Sequence, residues 1–313
     1  MTGGASLRLV RFMDQPLLRV GDHPKIGQNI NGPCVIRVPD WLGSALGRFY
    51  MYFAHHTGTF IKLAVSDDLQ GPWRMIDRPP LHVSETGFAQ GDVTHRLPTG
   101  ERITEPAHIA SPDVHVLNVD RKIAMLFHGL KPDGSQTTRL ALSDDGLSFS
   151  TDGFESDLAP PYLRLCRFED HFIGVAWGGE MFASDSIFGP FHKGPSVLER
   201  PNGAALIPRH PALFVKDGQL QCLYSLIGDS PEQLWHVTLM RDAYSGDWQI
   251  GEPAKVLTPK FHWEGANLPI VPSAIGTATG LENAVRDPFV FEDHLFYVAG
   301  GESAIAVARI EWF

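Results

Sequence analysis

The chain has 313 residues, 43% of them hydrophobic, and sets 26 Lys and Arg against 36 Asp and Glu, a formal charge of -10. That length and apolar fraction support a sizeable core, and the acidic balance argues against a nucleic-acid backbone or an anionic membrane as partner. No apolar run reaches the length of a membrane span, and the opening MTGGASLRLVRF lacks the apolar centre of a signal peptide, so a cytoplasmic location is expected. Cys34, Cys166 and Cys222 are odd in number, widely separated and set among apolar residues, a pattern of reduced thiols rather than disulfides or a metal cage.

From the N-terminus, LRLVRF (Leu7 to Phe12) reads as a strand without a hairpin partner of its own. A recurring pattern then opens at Gly32 with GPCVIRV: a proline-headed strand, a turn, a more apolar strand (RFYMYFA), an alternating third strand (FIKLAV) and the ending SDDLQGPW at Ser66 to Trp73. The heads recur as SPDVHVL from Ser111, PPYLRLCRF from Pro160, HPALFVKD from His210 and DPFVFED from Asp287. The second strands recur as KIAMLFHG, HFIGVAWGG, QLQCLYSL and HLFYVAGG, and the ending as SDSIFGPF from Ser184 and, more loosely, SDDGLSFS from Ser143. Apolar residues at two-residue spacing, broken by Gly and Pro, exclude helix almost throughout.

Five repeats of a four-stranded antiparallel unit predict an all-β chain, a five-bladed β-propeller filling residues 1–313 as one domain. The last unit, ending SAIAVARIEWF, has no outer strand, so the N-terminal strand is expected to pair with the C-terminal one and close the ring. Two stretches rich in Gly, Pro and polar residues, at about 74–107 and 251–284, lengthen the intervals between heads; both are expected to be long loops able to carry binding functions.

These proline-headed repeats and blade endings resemble the five-bladed propeller glycosidases, glycoside hydrolase family 43 and its relatives in families 32, 117 and 130, over nearly the whole chain. SPDV at Ser111 to Val114 is similar to the APDV that opens the second blade in family 43, and RDP at Arg286 to Pro288 resembles the RDP of family 32. YFAHHTGTFIKLAVSDDLQGPW, HIASPDVHV, HWEGANLP and RDPFVFED together resemble a bacterial glycosidase-like group. The resemblance implies hydrolysis of a glycosidic bond with inversion, by carboxylates at the narrow end of a central funnel. Three family 43 positions differ: Gly32, preceded by Asn31, stands where the first blade carries its base Asp, Pro160 and Pro161 where the third carries another, and Arg209 with His210 where the fourth carries a Glu.

Asp113 heads an inner strand and reads either as an acid–base group or as a tie to the neighbouring blade. Glu264 is its best partner, because Trp263 beside it could stack on a sugar and raise the acid's pKa; the same pair could equally be a loop anchor with the tryptophan as a plug. Asp287 is a third candidate acid, and Arg286 could clamp a substrate group or bridge to the aspartate. Inversion needs two carboxyl groups roughly 6.5–9.5 Å apart. For substrate binding, Asn31, His108 and His210 are candidates near the axis, and alternation sends His55 and His56 to opposite sides of their strand. Metal ligation would need those histidines to converge with Asp113, which the spacing does not specify, so no metal or cofactor is assigned. The reading is a carbohydrate-active enzyme, a glycoside hydrolase acting on a small oligosaccharide. The alternative, motivated by the missing acids, is a catalytically silent sugar-binding propeller.

Overall fold

The computed structural model describes residues 6–96, 100–198, 206–242, 247–278 and 280–313. Five antiparallel sheets form a five-bladed β-propeller. Blade I consists of Asn31–Arg37, Phe49–Ala54, Phe60–Ser66 and Arg74–Met75. Blade II has Ile109–Leu117, Lys122–Leu130 and Gln136–Ser143. Blade III follows with Arg164–Phe168, His171–Val175, Glu180–Ser184 and His192–Ser196, and blade IV with Ile207–Lys216, Gln219–Ile227, Leu234–Arg241 and Trp248–Ile250. Blade V is built from Val285–Phe291, His294–Ala299 and Ala304–Trp312.

The repeated endings account for the fourth strands of blades I and III, whereas blade IV forms its own without one. In SDDLQGPW and SDSIFGPF a left-handed Gly (φ 89° at Gly71, 78° at Gly189) and its proline turn the chain back along the third strand. SDDGLSFS has no such Gly-Pro step. Blade II accordingly departs from the expected four strands, carrying only single bridges, Leu142 to Ser150 and Thr138 to Ala159, along its outer edge. The first long insertion is also more ordered than a loop, since Val93–Arg96 and Arg102–Glu105 pair as a hairpin.

Alternation buries both faces of each sheet against its neighbours. Tyr50, Tyr52 and Val65 of blade I pack with Ile109, Met125 and Phe127 of blade II, and Leu223 and Leu234 of blade IV pack with Leu295 and Tyr297 of blade V. The ring closes at the termini. Leu7–Val10 pairs antiparallel with the last strand, Leu7 opposite Trp312 and Val10 opposite Arg309, and so supplies blade V with its outer strand.

Arg11 locks that closure. Its Nε lies 2.8 Å from Glu264 Oε1 and its Nη2 3.0 Å from Oε2, while Tyr297 donates its hydroxyl to Oε1 at 2.8 Å. Backbone N–H groups of Lys260 (2.6 Å) and Phe261 (3.0 Å) donate to the other oxygen. Glu264 is fully buried, and removing one member of such a pair strands the other charge. Arg11→Ala is therefore expected to lower unfolding free energy by about 3–5 kcal/mol. In urea titrations, Arg8→Ala on the exposed edge should stay within roughly 0.5 kcal/mol of wild type.

Candidate active site

The inner-strand heads meet at the axis, and four of them share one irregularity. The ladders slip between Asn31 and Cys34, Ala110 and Asp113, Pro208 and Pro211, and Arg286 and Phe289, so the residue before each proline is looped out of its sheet. Gly32, Ser111 and Asp287 take left-handed backbone there, at φ 56°, 50° and 48°; at the head of blade III Tyr162 does the same at 65°. Only glycine adopts this region freely. At position 32 a Cβ would also come within 3.0 Å of Ser111 Cα, so the aspartate that the resemblance leads one to look for has no room.

The looped-out residues bond to one another across blades. Asp287 accepts from the Gly32 N–H (3.3 Å) and from His210 Nδ1, and His210 Nε2 lies 3.1 Å from Ser111 Oγ. Burial depresses the His210 pKa, keeping the ring neutral, with the Nδ1 proton directed at Asp287 and Nε2 accepting from the serine. Burial alone would raise Asp287, but its His210 contact and the nearby Arg209 and Arg286 hold it well below the usual carboxylate range. The Ser–His–Asp connectivity is that of a nucleophile relay. Yet Ser111 is buried and lies off the cavity wall, so the three act as a tie between blades II, IV and V.

A cavity of about 220 Å³ opens beside this ring. Tyr162 and Trp177 line it, their rings 5.5 Å apart and tilted by 33°, with Tyr162 edge-on to His210 at 4.2 Å. Among the described residues its one carboxylate is Glu105, delivered by the inserted hairpin and steadied by Gln136 Nε2 (2.8 Å) and His95 Nε2 (3.2 Å). His56 also lines the cavity, with Nδ1 3.0 Å from Glu302 Oε1 and its backbone N–H donating to Asn29 Oδ1 at 2.9 Å. Asn29 in turn donates its side-chain amide to Glu302. Burial pushes Glu302 up, but His56 and Arg286 bring it below the usual range, so it is ionised at neutral pH.

Arg209 completes the polar wall. Its Nε is 3.1 Å from Glu232 Oε1, and its Nη2 donates to the Ala274 carbonyl at 2.6 Å. Glu232 is shared with Arg286, whose Nη2 is 2.9 Å away and also 2.7 Å from Glu282. Arg286 is buried inside this ion network and does not reach the cavity.

The three acids singled out from sequence do not converge. Asp113 accepts from the Leu165 N–H (2.8 Å) and His115 Nε2 (2.9 Å), with Arg164 Nη1 at 3.4 Å; it ties blade II to blade III, off the cavity wall. Asp287 sits in the axial ring, and Glu264 in the terminal closure. A sealed, saturated carboxylate cannot exchange protons with a substrate, which removes the motive for assigning acid–base work to any of them. Trp263 is the plug: it stacks on Phe261 at 5.5 Å and donates Nε1 to the Asp14 carbonyl at 2.8 Å.

Of the binding candidates, the structure brings His56 and His210 to the cavity. His55 points into a separate cavity with Ile26, Gly27 and Lys62. His108 is buried against the Pro106 carbonyl (2.9 Å), and Asn31 is buried with its side-chain oxygen unpaired among the described residues. Sequence reasoning missed Glu105, Tyr162, Trp177, Arg209 and Glu302. A signal existed for two of them, because Trp177 and Glu302 come within three residues of the end of a second strand, as His56 does. Among the described residues no group of three or more His, Cys, Asp or Glu is placed to hold a metal ion.

No family model matches the sequence. Uncharacterized protein R118 of Acanthamoeba polyphaga mimivirus is 29% identical over 309 residues, covering 90% of this chain and 83% of that one. Among solved structures, the endo-arabinase from Bacteroides thetaiotaomicron VPI-5482 aligns with a TM-score of 0.61 and 12% identity over 95% of this chain and 98% of that one. A GH43 β-xylosidase/α-arabinofuranosidase from a compost microbial metagenome, in complex with xylotriose, aligns at 0.57 and 10% identity over 97% and 94%. The chain has the fold of the five-bladed propeller glycosidases.

Within that fold the lowered pKa of Asp113 and of Asp287 makes a stability prediction. For Asp113, burial acts upward but the His115 and Arg164 contacts and the Leu165 N–H prevail. Each carboxylate stays ionised in the fold at pH values where the unfolded chain, with an Asp pKa of about 3.9, already takes up protons. Their contribution is thus fully present above about pH 4 and is lost as pH falls through the depressed folded values. Urea midpoints should drop steeply in that window for wild type, whereas Asp287→Asn should start lower at pH 7 and vary less with acid.

Proposed function

We propose that the chain is a carbohydrate-active enzyme, a glycoside hydrolase that takes one sugar ring into the axial cavity. The observation that carries this reading is the pairing, on one cavity wall of a glycosidase fold, of an aromatic platform with two groups able to move protons. Trp177 and Tyr162 offer apolar faces to a sugar ring. Glu105, a quarter exposed on the cavity wall with Gln136 and His95 each on one of its oxygens, serves as the base that activates water. Glu302 holds His56 Nδ1, leaving Nε2 as the atom that passes a proton to the departing glycosidic oxygen. Arg209 orients a hydroxyl group, while His210, with both ring nitrogens engaged, only shapes the wall.

A second reading, a sugar-binding propeller without turnover, is favoured by one observation: among the described residues Glu105 is the lone carboxylate on the wall, where inversion ordinarily uses two. One experiment separates them. Aryl xylosides, arabinofuranosides, glucosides and galactosides are offered to wild type, Glu105→Gln, His56→Asn and Trp177→Ala. We expect kcat to fall by about 10²–10⁴ in the first two variants with binding retained, and KM to rise roughly tenfold in the third. Full activity in Glu105→Gln would remove that residue from the chemistry; calorimetric binding with no turnover in wild type would establish the second reading.

A further inference from the structure

The second insertion carries an apolar rim that the sugar site alone does not explain. From Ala266 to Leu281, ANLPIVPSAIGTATGL, there is no charged and no aromatic residue, in a chain that is 20% charged. Ile275 and Gly276 form part of the cavity wall, together with Ile227. Yet Ile275 is also 67% exposed, and Ile270 and Val271 are 65% and 55% exposed. Single exposed aliphatic side chains are ordinary, whereas three exposed within six residues, one of them on the cavity wall, concentrate apolar surface beside the cavity mouth.

The rim is held in place rather than left loose. Gly228 N–H donates to the Ser273 carbonyl (3.0 Å) and lies 3.1 Å from Ser273 Oγ, Ser273 N–H donates to the Asp229 carbonyl (3.1 Å), and Arg209 grips Ala274. Pro269 and Pro272 bracket Ile270 and Val271 and fix φ on either side. Val271 is four residues from Ile275, at most about 14 Å along the chain, which keeps it within reach of whatever leaves the cavity mouth. A surface already fixed in its exposed form loses little freedom when it is covered.

We infer that the substrate is a glycoside of an apolar aglycone, its sugar in the cavity and its aglycone lying over Ile275, Val271 and Ile270. This rests on the reading of the cavity as a sugar site. The cavity, smaller than the roughly 300 Å³ at which pockets for larger ligands begin, takes one ring and no second sugar. Along residues 266–281 a second sugar would meet neither an aromatic face to stack on nor a charged side chain to bond its hydroxyls. Alkyl or aryl groups would instead cover aliphatic surface that water now wets.

Calorimetry with methyl, butyl and hexyl glycosides of xylopyranose, arabinofuranose, glucopyranose and galactopyranose, beside the free sugars and matching disaccharides, tests the proposal. For the sugars that bind, Kd should fall with alkyl length, by up to about fourfold per methylene, and the hexyl glycoside should bind more tightly than the disaccharide. The double variant Ile270→Ser/Val271→Ser should flatten that dependence while leaving the methyl glycoside's Kd unchanged. Methyl glycosides that bind with no gain on lengthening, a disaccharide that binds more tightly than the hexyl glycoside, or a dependence surviving in the double variant overturns the aglycone site and leaves the sugar cavity standing. A dimer in sedimentation that the double variant dissociates assigns the rim to a second copy and likewise overturns it. Failure of every free sugar and every glycoside to bind overturns the cavity reading, and this inference with it.

Discussion

Closing five sheets about one axis forces the heads of the inner strands together, and the looped-out residues before their prolines must satisfy one another there. Water is excluded, so each polar group needs a partner from another blade. The Gly32 N–H, the Asp287 carboxylate, the His210 ring and the Ser111 hydroxyl meet that need in a chain of hydrogen bonds through blades I, V, IV and II. Ser111 and Asp287 accept left-handed backbone to do so, a conformation that costs of the order of 1–3 kcal/mol each and persists only where surroundings over-determine it. The proline after each fixes the strand that follows.

That constraint decides which carboxylates remain for chemistry. Asp113 is taken by the backbone of blade III, Asp287 by the axial ring, and Glu264 by the arginine that closes the ring of blades. The cavity wall therefore combines Tyr162, Arg209 and His210 from the heads with groups from further out: His56 and Trp177 from the ends of second strands, Glu105 and Ile275 from the insertions. Long insertions on a rigid scaffold can vary without disturbing the axis.

The fold was legible because its signals are local and repeated: period-two alternation, a proline at each head, and a Gly-Pro step where the fourth strands of blades I and III turn back. Blade II lost its outer strand where that step is missing, which the looser match of SDDGLSFS already hinted. The hairpin at 93–105 was hidden because its short arms, VTHR and RITE, lie among turn residues that read as loop. The site was far less legible. Trp263-Glu264 has the same local pattern whether it faces a sugar or plugs a seam, and the residue that settles the matter, Arg11, lies about 250 positions away in sequence. Inner-strand heads drew attention as the ends nearest the axis, yet nearness to the axis is what seals them. The informative comparison was one strand further out, where FAHH, VAWGG and VAGGE close three second strands and give His56, Trp177 and Glu302 within three residues of the strand ends.

The two ends of the polar wall are also joined beneath it. His56 contacts Glu302 at 3.0 Å, Glu302 lies 3.8 Å from Arg286, Arg286 2.9 Å from Glu232, and Glu232 3.1 Å from Arg209. Charges alternate in sign along that line, which is what allows four ionic groups to lie buried together, since each offsets the desolvation of the next. An arginine at position 209 thus requires a carboxylate behind it, and Glu232 is the group that meets the requirement; it balances charge and takes no part on the wall. Because the line runs from blade I through blade V to blade IV, a change at any link shifts the field at both His56 and Arg209. The wall's polar groups form one electrostatic unit, and the effects of altering them singly should not add.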